Sequence, residues 1–217
     1  MEKVSLMIKC NIMLIVGILL ILCSCGKNNE EPASTEAGST EIAGQAIDLG
    51  LSVKWATYNL GATNSEEYGG LYGWADFTGE KTSINLDDYP SANPPLNICD
   101  TKYDIAKVMW GERWRLPSLS EMRELFTKCT HKWITYINVQ GMLFVGPNGN
   151  SIFFPAAGDR YPNKGILNQG TGGWYWSGTL GSGSSDYAHA LSLCSSGMNW
   201  SDCCLRSCGF SVRPVKD

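Results

Sequence analysis

Apolar residues follow three different patterns along the chain, and each pattern predicts a different element. Residues 12–22 are apolar throughout except for Gly17. Residues 46–61 alternate apolar and polar side chains between glycines, which is typical of short strands. Residues 118–126 place Leu119, Met122, Leu125 and Phe126 on one face at helical spacing. The mixture predicts an α+β chain behind an apolar leader.

The best helix signal also carries its own start. Ser118 is followed three positions later by Glu121, the pattern of a capping box. Residues 102–111 predict a second, shorter helix that ends at Gly111. Both helices are therefore expected in the middle of the chain.

Strand and turn signals surround these helices. Residues 67–77 are rich in aromatic residues and glycine and indicate a strand with a turn, whereas the prolines of 78–100 indicate a long loop. Residues 137–158 predict a hairpin around the Pro-Asn-Gly-Asn turn at 147–150. Residues 210–214 predict a central strand near the end of the domain.

The first residues predict export. Lys3 and Lys9 precede the apolar run, which is shorter than the about 20 residues that a membrane span needs. This is the pattern of a signal peptide over residues 1–24; a buried helix is the alternative. The run ends in Leu-Cys-Ser-Cys, which resembles a bacterial lipobox with Cys25 as the lipidated residue. The lipid anchor would make the membrane a partner.

Residues 25–45 predict a flexible tether. They contain several glutamates and no aromatic residue, so they lack the apolar surface that would offset the cost of ordering. The acidic pair Glu30 and Glu31 resembles the export signal of surface lipoproteins in Gram-negative gut bacteria. The predicted location is therefore the outer membrane, facing the cell surface, with a periplasm-facing lipoprotein as the alternative.

Residues 46–217 have the length of a single domain with a good core. The chain carries a net charge of -4 and has no basic stripe, which argues against nucleic acid as a partner. Between 165 and 205 the charged residues are Asp186 and Asp202, among many Ser, Gly and aromatic residues. This composition is typical of an adaptable recognition surface, here expected as short strands joined by long loops.

Six sequence blocks carry a family resemblance over 46–217. They are IDLGLSVKWATYNLGA, EYGGLYGWAD, WGERWRLPSLSEMRELFTKCT, GPNGNSIFFPAAGDR, GGWYWSGT and GFSVRPV, in this order. The chain resembles the Fibrobacter succinogenes major paralogous domain. The resemblance implies a C-type-lectin-like fold, in which two helices pack on a twisted antiparallel sheet with long C-terminal loops.

The ending also resembles that of the variable proteins of diversity-generating retroelements, whose 3′ gene ends are rewritten at adenines. The resemblance implies a framework of Ala188, Leu191 and Leu193, with variable positions between them on an exposed face. Those positions include Ala190, residues 195–204, Ser207 and Cys208. The ligand-binding residues it implies are Tyr187, His189, Ser192, Cys194, Met198, Asn199, Trp200, Asp202, Cys203 and Cys204.

The implied function is non-catalytic binding of an extracellular protein or glycan, without a cofactor. The alternative is a structural envelope lipoprotein with no variable site. The catalytic residues to consider are His131 and Asp159, but an exposed surface histidine and an Asp159–Arg160 ion pair explain these residues at least as well. An enzyme is therefore not predicted.

Cys203, Cys204 and Cys208 lie close together in the sequence and admit several interpretations. Their spacing does not match the C-x₂-C pattern of zinc sites, so no metal is predicted. Export permits a disulfide, which could join Cys203 or Cys204 to Cys194 or Cys208, or Cys99 to Cys129. Codon randomisation is the third explanation.

Overall fold

The computed structural model describes residues 44–79 and 93–217. The described residues do not include the predicted signal peptide, Cys25 or almost all of the predicted tether. They also omit much of the predicted loop at 78–100. The described residues belong to one compact unit, Ser39–Asp217. None of the helices in these two ranges is long and apolar enough to cross a membrane.

The described chain is α+β, with two short helices among antiparallel strands. The elements are β1 Ala46–Ile47, β2 Lys54–Ala56, α1 Ile105–Trp110, α2 Leu119–Lys128, β3 Thr130–Tyr136, β4 Val139–Val145, β5 Ser151–Pro155, β6 Asp159–Tyr161, β7 Gly165–Leu167, β8 Gly172–Leu180, β9 Tyr187–Cys194, β10 Gly197–Leu205 and β11 Val215–Lys216.

The strands pair into small antiparallel sheets. Their orders are β1-β2-β11, β3-β4-β5, β6-β7 and β8-β9-β10. Isolated bridges connect further segments, among them Tyr72 with Phe210, and Tyr175 of β8 with Ser211. The predicted strand at 67–77 and the predicted central strand at 210–214 are thus reduced to single bridges, and regular pairing resumes only at β11.

Both predicted helices are confirmed. Ser118 Oγ accepts a hydrogen bond from the Glu121 amide, and the Glu121 carboxylate accepts one from the Ser118 amide at 2.7 Å. Met122 and Leu125 are fully buried, and α2 contacts β8, β9 and β10. α1 ends at Gly111, whose φ of 88° suits glycine. Helix α2 therefore supports the C-terminal sheet from one side.

The predicted hairpin is confirmed as β4 and β5, which pair from Val145 opposite Ser151 to Gly141 opposite Pro155. Strand β3 precedes it and pairs with β4 along its whole length. The sequence pattern did not indicate β3, because most of its side chains are exposed and it lacks a clear alternation of apolar residues.

The long loops predicted between 165 and 205 are wrong. Residues 172–205 form three paired strands of eight or nine residues each, joined by 181–186 and by the turn at 195–196. The small residues there are strand residues: Ala188 and Ala190 are fully buried, and Ser177 donates to the backbone carbonyl of His189 at 2.9 Å. Ala188, Ala190 and Ser177 therefore reflect tight packing between strands rather than loop conformation.

Two groups of buried residues form the core. One is built around Trp74, Trp176 and Phe210, and the other around Phe154 and Tyr175. Strand β8 supplies Tyr175 to one group and Trp176 to the other, so both of its faces are covered. The outer surface of the C-terminal sheet is consequently left to its edge strand β10 and to the outward residues of β9.

Replacing Ser118 by Ala should lower the free energy of unfolding by about 1 kcal/mol, because the first turn of α2 loses its capping acceptor. Urea denaturation followed by circular dichroism measures the change. Thr127→Ala, on the exposed side of the same helix, is the matched control and should change stability little. Equal stability of the Ser118 variant and the unmodified protein would contradict the role of the capping box.

Candidate binding face

The candidate site is the β9–β10 hairpin. All of the predicted ligand-binding residues lie on these two strands, and the pairing places Cys203 opposite His189 and Asn199 opposite Ser192. Residues that face each other across an antiparallel pair share one face of the sheet. The pairing therefore brings together side chains that are seven and fourteen positions apart in the sequence.

The framework positions of β9 are buried. Ala188 and Leu191 are 0% exposed and Leu193 is 1% exposed. Three positions expected on an exposed face are buried as well: Ala190 is 0%, Ser207 2% and Cys208 3% exposed. The expectation of exposure is wrong for these three, because Ala190 sits against the core and residues 206–208 turn back into it.

Trp200 and Met198 are only partly accessible. The β9–β10 register shifts between Asn199 and Asp202, so β10 carries an extra residue there. The Trp200 ring packs against the core beside α2, with the Arg123 guanidinium carbon 5.7 Å from the ring centre. Met198 packs against the same core. Both side chains support the hairpin more than they project from it.

Two surface cavities flank the sheet. The first, called the Asn199 cavity, has a volume of about 420 Å³. The second, called the Asp159 cavity, has a volume of about 380 Å³. Trp174 of β8 lines both. The residues of the Asn199 cavity are Trp174, Ser192, Leu193, Cys194, Ser196, Gly197, Met198 and Asn199. Those of the Asp159 cavity are Asp159, Tyr161, Trp174, Tyr187, Cys203, Cys204, Leu205, Cys208 and Phe210.

Trp174 and Trp176 are two positions apart on β8, so strand alternation puts both on one face. Trp176 is 1% exposed and donates from its indole nitrogen to the Tyr72 carbonyl at 2.7 Å. Trp174 is only half-buried and pairs in register with Ser192 and hence Asn199. Its place between the cavities depends on strand pairing, which no local pattern reveals.

The three clustered cysteines line one cavity as neutral thiols. Burial raises the pKa of Cys204 well above its usual range. Burial, with the charge of Asp159, raises the pKa of Cys208 to about 11. Burial and the Asp202 charge also raise the pKa of Cys203. Thiols protonated at neutral pH are poor nucleophiles and poor metal ligands.

None of the disulfides considered for the described cysteines is formed. All six cysteines in the described ranges are free: Cys99, Cys129, Cys194, Cys203, Cys204 and Cys208. Within the same ranges, no group of three or more His, Cys, Asp or Glu side chains is arranged to hold a metal ion. Cys203, Cys204 and Cys208 therefore line the Asp159 cavity as free cysteines, which behave as small, weakly polar side chains.

The two residues weighed for catalysis lie on different sheets. His131 is exposed on β3 and stacks on Phe126 at 5.8 Å between ring centres. Asp159 lies on β6, is 8% exposed, and accepts a hydrogen bond from Asn168 Nδ2 at 2.7 Å. The Arg160 side chain donates to the Leu71 carbonyl at 3.2 Å. The ion-pair interpretation of Asp159 with Arg160 has no counterpart among the ion pairs of the described residues.

Asp159, Tyr161 and Trp174 are not among the ligand-binding residues that the sequence implies. All three reach the Asp159 cavity from elements that precede the hairpin. The aromatic residues around 160 and 174 were visible in the sequence, but only the tertiary fold joins them to the segment 203–210.

No family model, curated protein or solved structure matches the chain.

Alkylation by iodoacetamide should modify Cys194 first in the native protein. Hydrogen bonds from the side chain and backbone of Ser196 lower the pKa of Cys194, whereas burial raises the pKa of Cys204 and Cys208. Because the thiolate is the reacting form, Cys194 should react at least about tenfold faster than either buried thiol. Peptide mass mapping over time measures the three rates.

The same labelling in strong denaturant is the control, since unfolding removes the differences in burial and should bring the rates together. Native labelling of Cys204 or Cys208 as fast as Cys194 would show that the cavity wall is open to reagents.

Proposed function

We propose that this protein is a lipid-anchored binding protein of the cell surface and does not catalyse a reaction. It recognises a protein or glycan ligand through the exposed side chains of β9 and β10, which are called the β9–β10 face below. The proposal takes its anchor from the leader and Cys25. It takes the C-type-lectin-like fold from the resemblance to the major paralogous domain. The observation that carries it is the gathering of all ten predicted contact residues on one hairpin between two cavities.

Strand β9 combines buried framework residues with exposed ones. Ala188 packs in one core group and Leu191 and Leu193 in the other, while Tyr187 is 39% exposed. Exposed residues can therefore change without disturbing the core. Such a rigid scaffold with replaceable surface residues is what a recognition site needs.

The chemistry of the face also suits recognition. Tyr187 and Trp174 offer large, stiff apolar surface, and Ser192 and Asn199 offer short polar groups beside them. This combination of aromatic anchors with small hydrogen-bonding side chains is typical of paratopes. Anionic partners such as nucleic acids are disfavoured, because the lining residues of both cavities include no Lys or Arg.

Diversification explains why this face carries unusual residues. An asparagine codon changed at its adenines can encode Ser, Tyr, His, Asp, Gly or Cys, and these residue types occur at 187–204. The exposed Cys203 and Asn199 fit such a history. Buried Cys208 fits it less well, because random replacement there would disturb the core.

Sequencing the 3′ end of the gene in many cells of one strain tests diversification. We expect a near-copy of this end beside a reverse-transcriptase gene, with differences confined to adenines and to codons of the outward residues. An invariant end without a template would remove diversification from the proposal and leave the structural envelope lipoprotein as the better explanation.

A binding screen against glycan arrays and surface-protein libraries tests recognition itself. Tyr187→Ala should weaken binding by about tenfold or more, because a single large aromatic side chain in contact with the ligand often carries a large share of the affinity. Tyr136→Ala is the matched control, since Tyr136 is 41% exposed but lies on β3. Equal loss in both variants, or none in either, would count against the β9–β10 face.

A further inference from the structure

The Asp159 cavity contains a carboxylate that is nearly buried yet incompletely satisfied. Asp159 is 8% exposed, and among the described residues Asn168 Nδ2 is its one hydrogen-bond donor, acting on Oδ1. The side chain lines the cavity. No described residue donates a hydrogen bond to Oδ2, so this oxygen can accept one from a ligand in the cavity. A buried carboxylate without a full set of donors is costly.

The walls beside this carboxylate are aromatic. Trp174, Tyr187, Tyr161 and Phe210 all line the same cavity. Aromatic ring faces attract cations, most strongly once both partners are removed from water. Tyr161 already does so, because Lys164 Nζ lies 5.3 Å from its ring centre. Trp174, Tyr187 and Phe210 are not engaged with a cation in the described structure.

The remaining wall adds no positive charge. It consists of Leu205 and the thiols of Cys203, Cys204 and Cys208. Burial keeps these thiols protonated and neutral, as their raised pKa values indicate. Arg160 is the adjacent cation in the sequence, and its guanidinium packs on Gly209 and donates to the Leu71 carbonyl. Among the residues that line the cavity, Asp159 is thus the one charged group, and the others are aromatic residues, thiols and Leu205.

We infer that the Asp159 cavity binds an organic cation, namely the guanidinium or ammonium group of an arginine or lysine side chain on the ligand. This rests on the proposed binding function and narrows it, because it selects a protein with exposed basic side chains over a neutral glycan. The cation pairs with Asp159 Oδ2 and lies against the rings of both Trp174 and Tyr187. The Asn199 cavity, on the other side of Trp174, is then left for neighbouring residues of the same ligand.

Titration of the purified full-length chain with benzamidinium, followed by NMR, tests the cation requirement. Benzamide is the matched probe, since it has nearly the same shape without the charge. Benzamidinium should shift the signals of Trp174, Tyr187 and Cys203, and benzamide should bind at least about tenfold more weakly, as expected for loss of a charge-assisted hydrogen bond. Equal affinity of the two probes, or no shift at these residues, overturns the inference.

Two substitutions locate the effect. Asp159→Asn keeps an oxygen that can accept from Asn168 and removes the charge, so benzamidinium should lose its advantage over benzamide. Asp186→Asn removes one charge from a residue that does not line the cavity, and it should leave the ratio unchanged. A ratio that falls equally in both variants would show a general charge effect and overturn the inference.

If Asp159→Asn fails to fold, as judged by its thermal midpoint, Tyr187→Ala takes its place. Tyr187 is exposed, so its removal should spare the fold and weaken benzamidinium binding; unchanged binding overturns the inference. Failure here is distinct from failure of the proposed function. A ligand that depends on Tyr187 while benzamide and benzamidinium bind alike keeps the function and rejects the cation site.

Discussion

The guanidinium group of Arg213 is fully buried, and the arrangement of the strands around it depends on satisfying that charge. It donates to the Ala56 carbonyl, to Asn59 Oδ1 and to the Phe153 carbonyl, and it lies 4.4 Å from the ring centre of Phe154. None of the ion pairs among the described residues includes it, and burial lowers its pKa to about 10. A buried charge is tolerated only where each donor is met. The segment after β2, strand β5 and the end of the chain must therefore meet at one place.

That constraint reaches the binding face through β8. Tyr175 of β8 lies in the Phe154 core group and donates to the Pro155 carbonyl, next to the Phe153 carbonyl that accepts from Arg213. With both faces of β8 covered, β9 pairs with a strand that cannot shift, and α2 packs behind it. Because β8 and α2 support the hairpin rigidly, its exposed residues can be replaced without changing the core. The same rigidity explains why Ala190 and Cys208, which the resemblance places among variable positions, are poor positions for change.

The parts of the fold that local signals determine were predictable. Helix α2 has a capping box and the β4–β5 hairpin has an Asn-Gly turn, and both form as expected. Strands β8 to β10 were expected as short strands joined by long loops, because their serines and glycines resemble turn residues, whereas each is eight or nine residues long. The resemblance implied a framework of Ala188, Leu191 and Leu193 but not the β9–β10 hairpin. The Asp159 cavity was not predictable, since it joins β6 and β8 to the segment 203–210 through tertiary contacts alone.

The cysteine-rich stretch shows how neighbours in sequence become separate in space. Cys203 is exposed opposite His189, whereas Cys204 lies opposite Ala188 on the other face of the strand and packs against the core. Cys208 follows a turn in which its amide donates to the Leu205 carbonyl, and it is 3% exposed. These three environments lack the shared geometry of a metal site. What the thiols share is the cavity they line, where their neutrality matters more than their reactivity. The thiol wall carries no charge of its own, so Asp159 is the one charged residue among those that line this cavity.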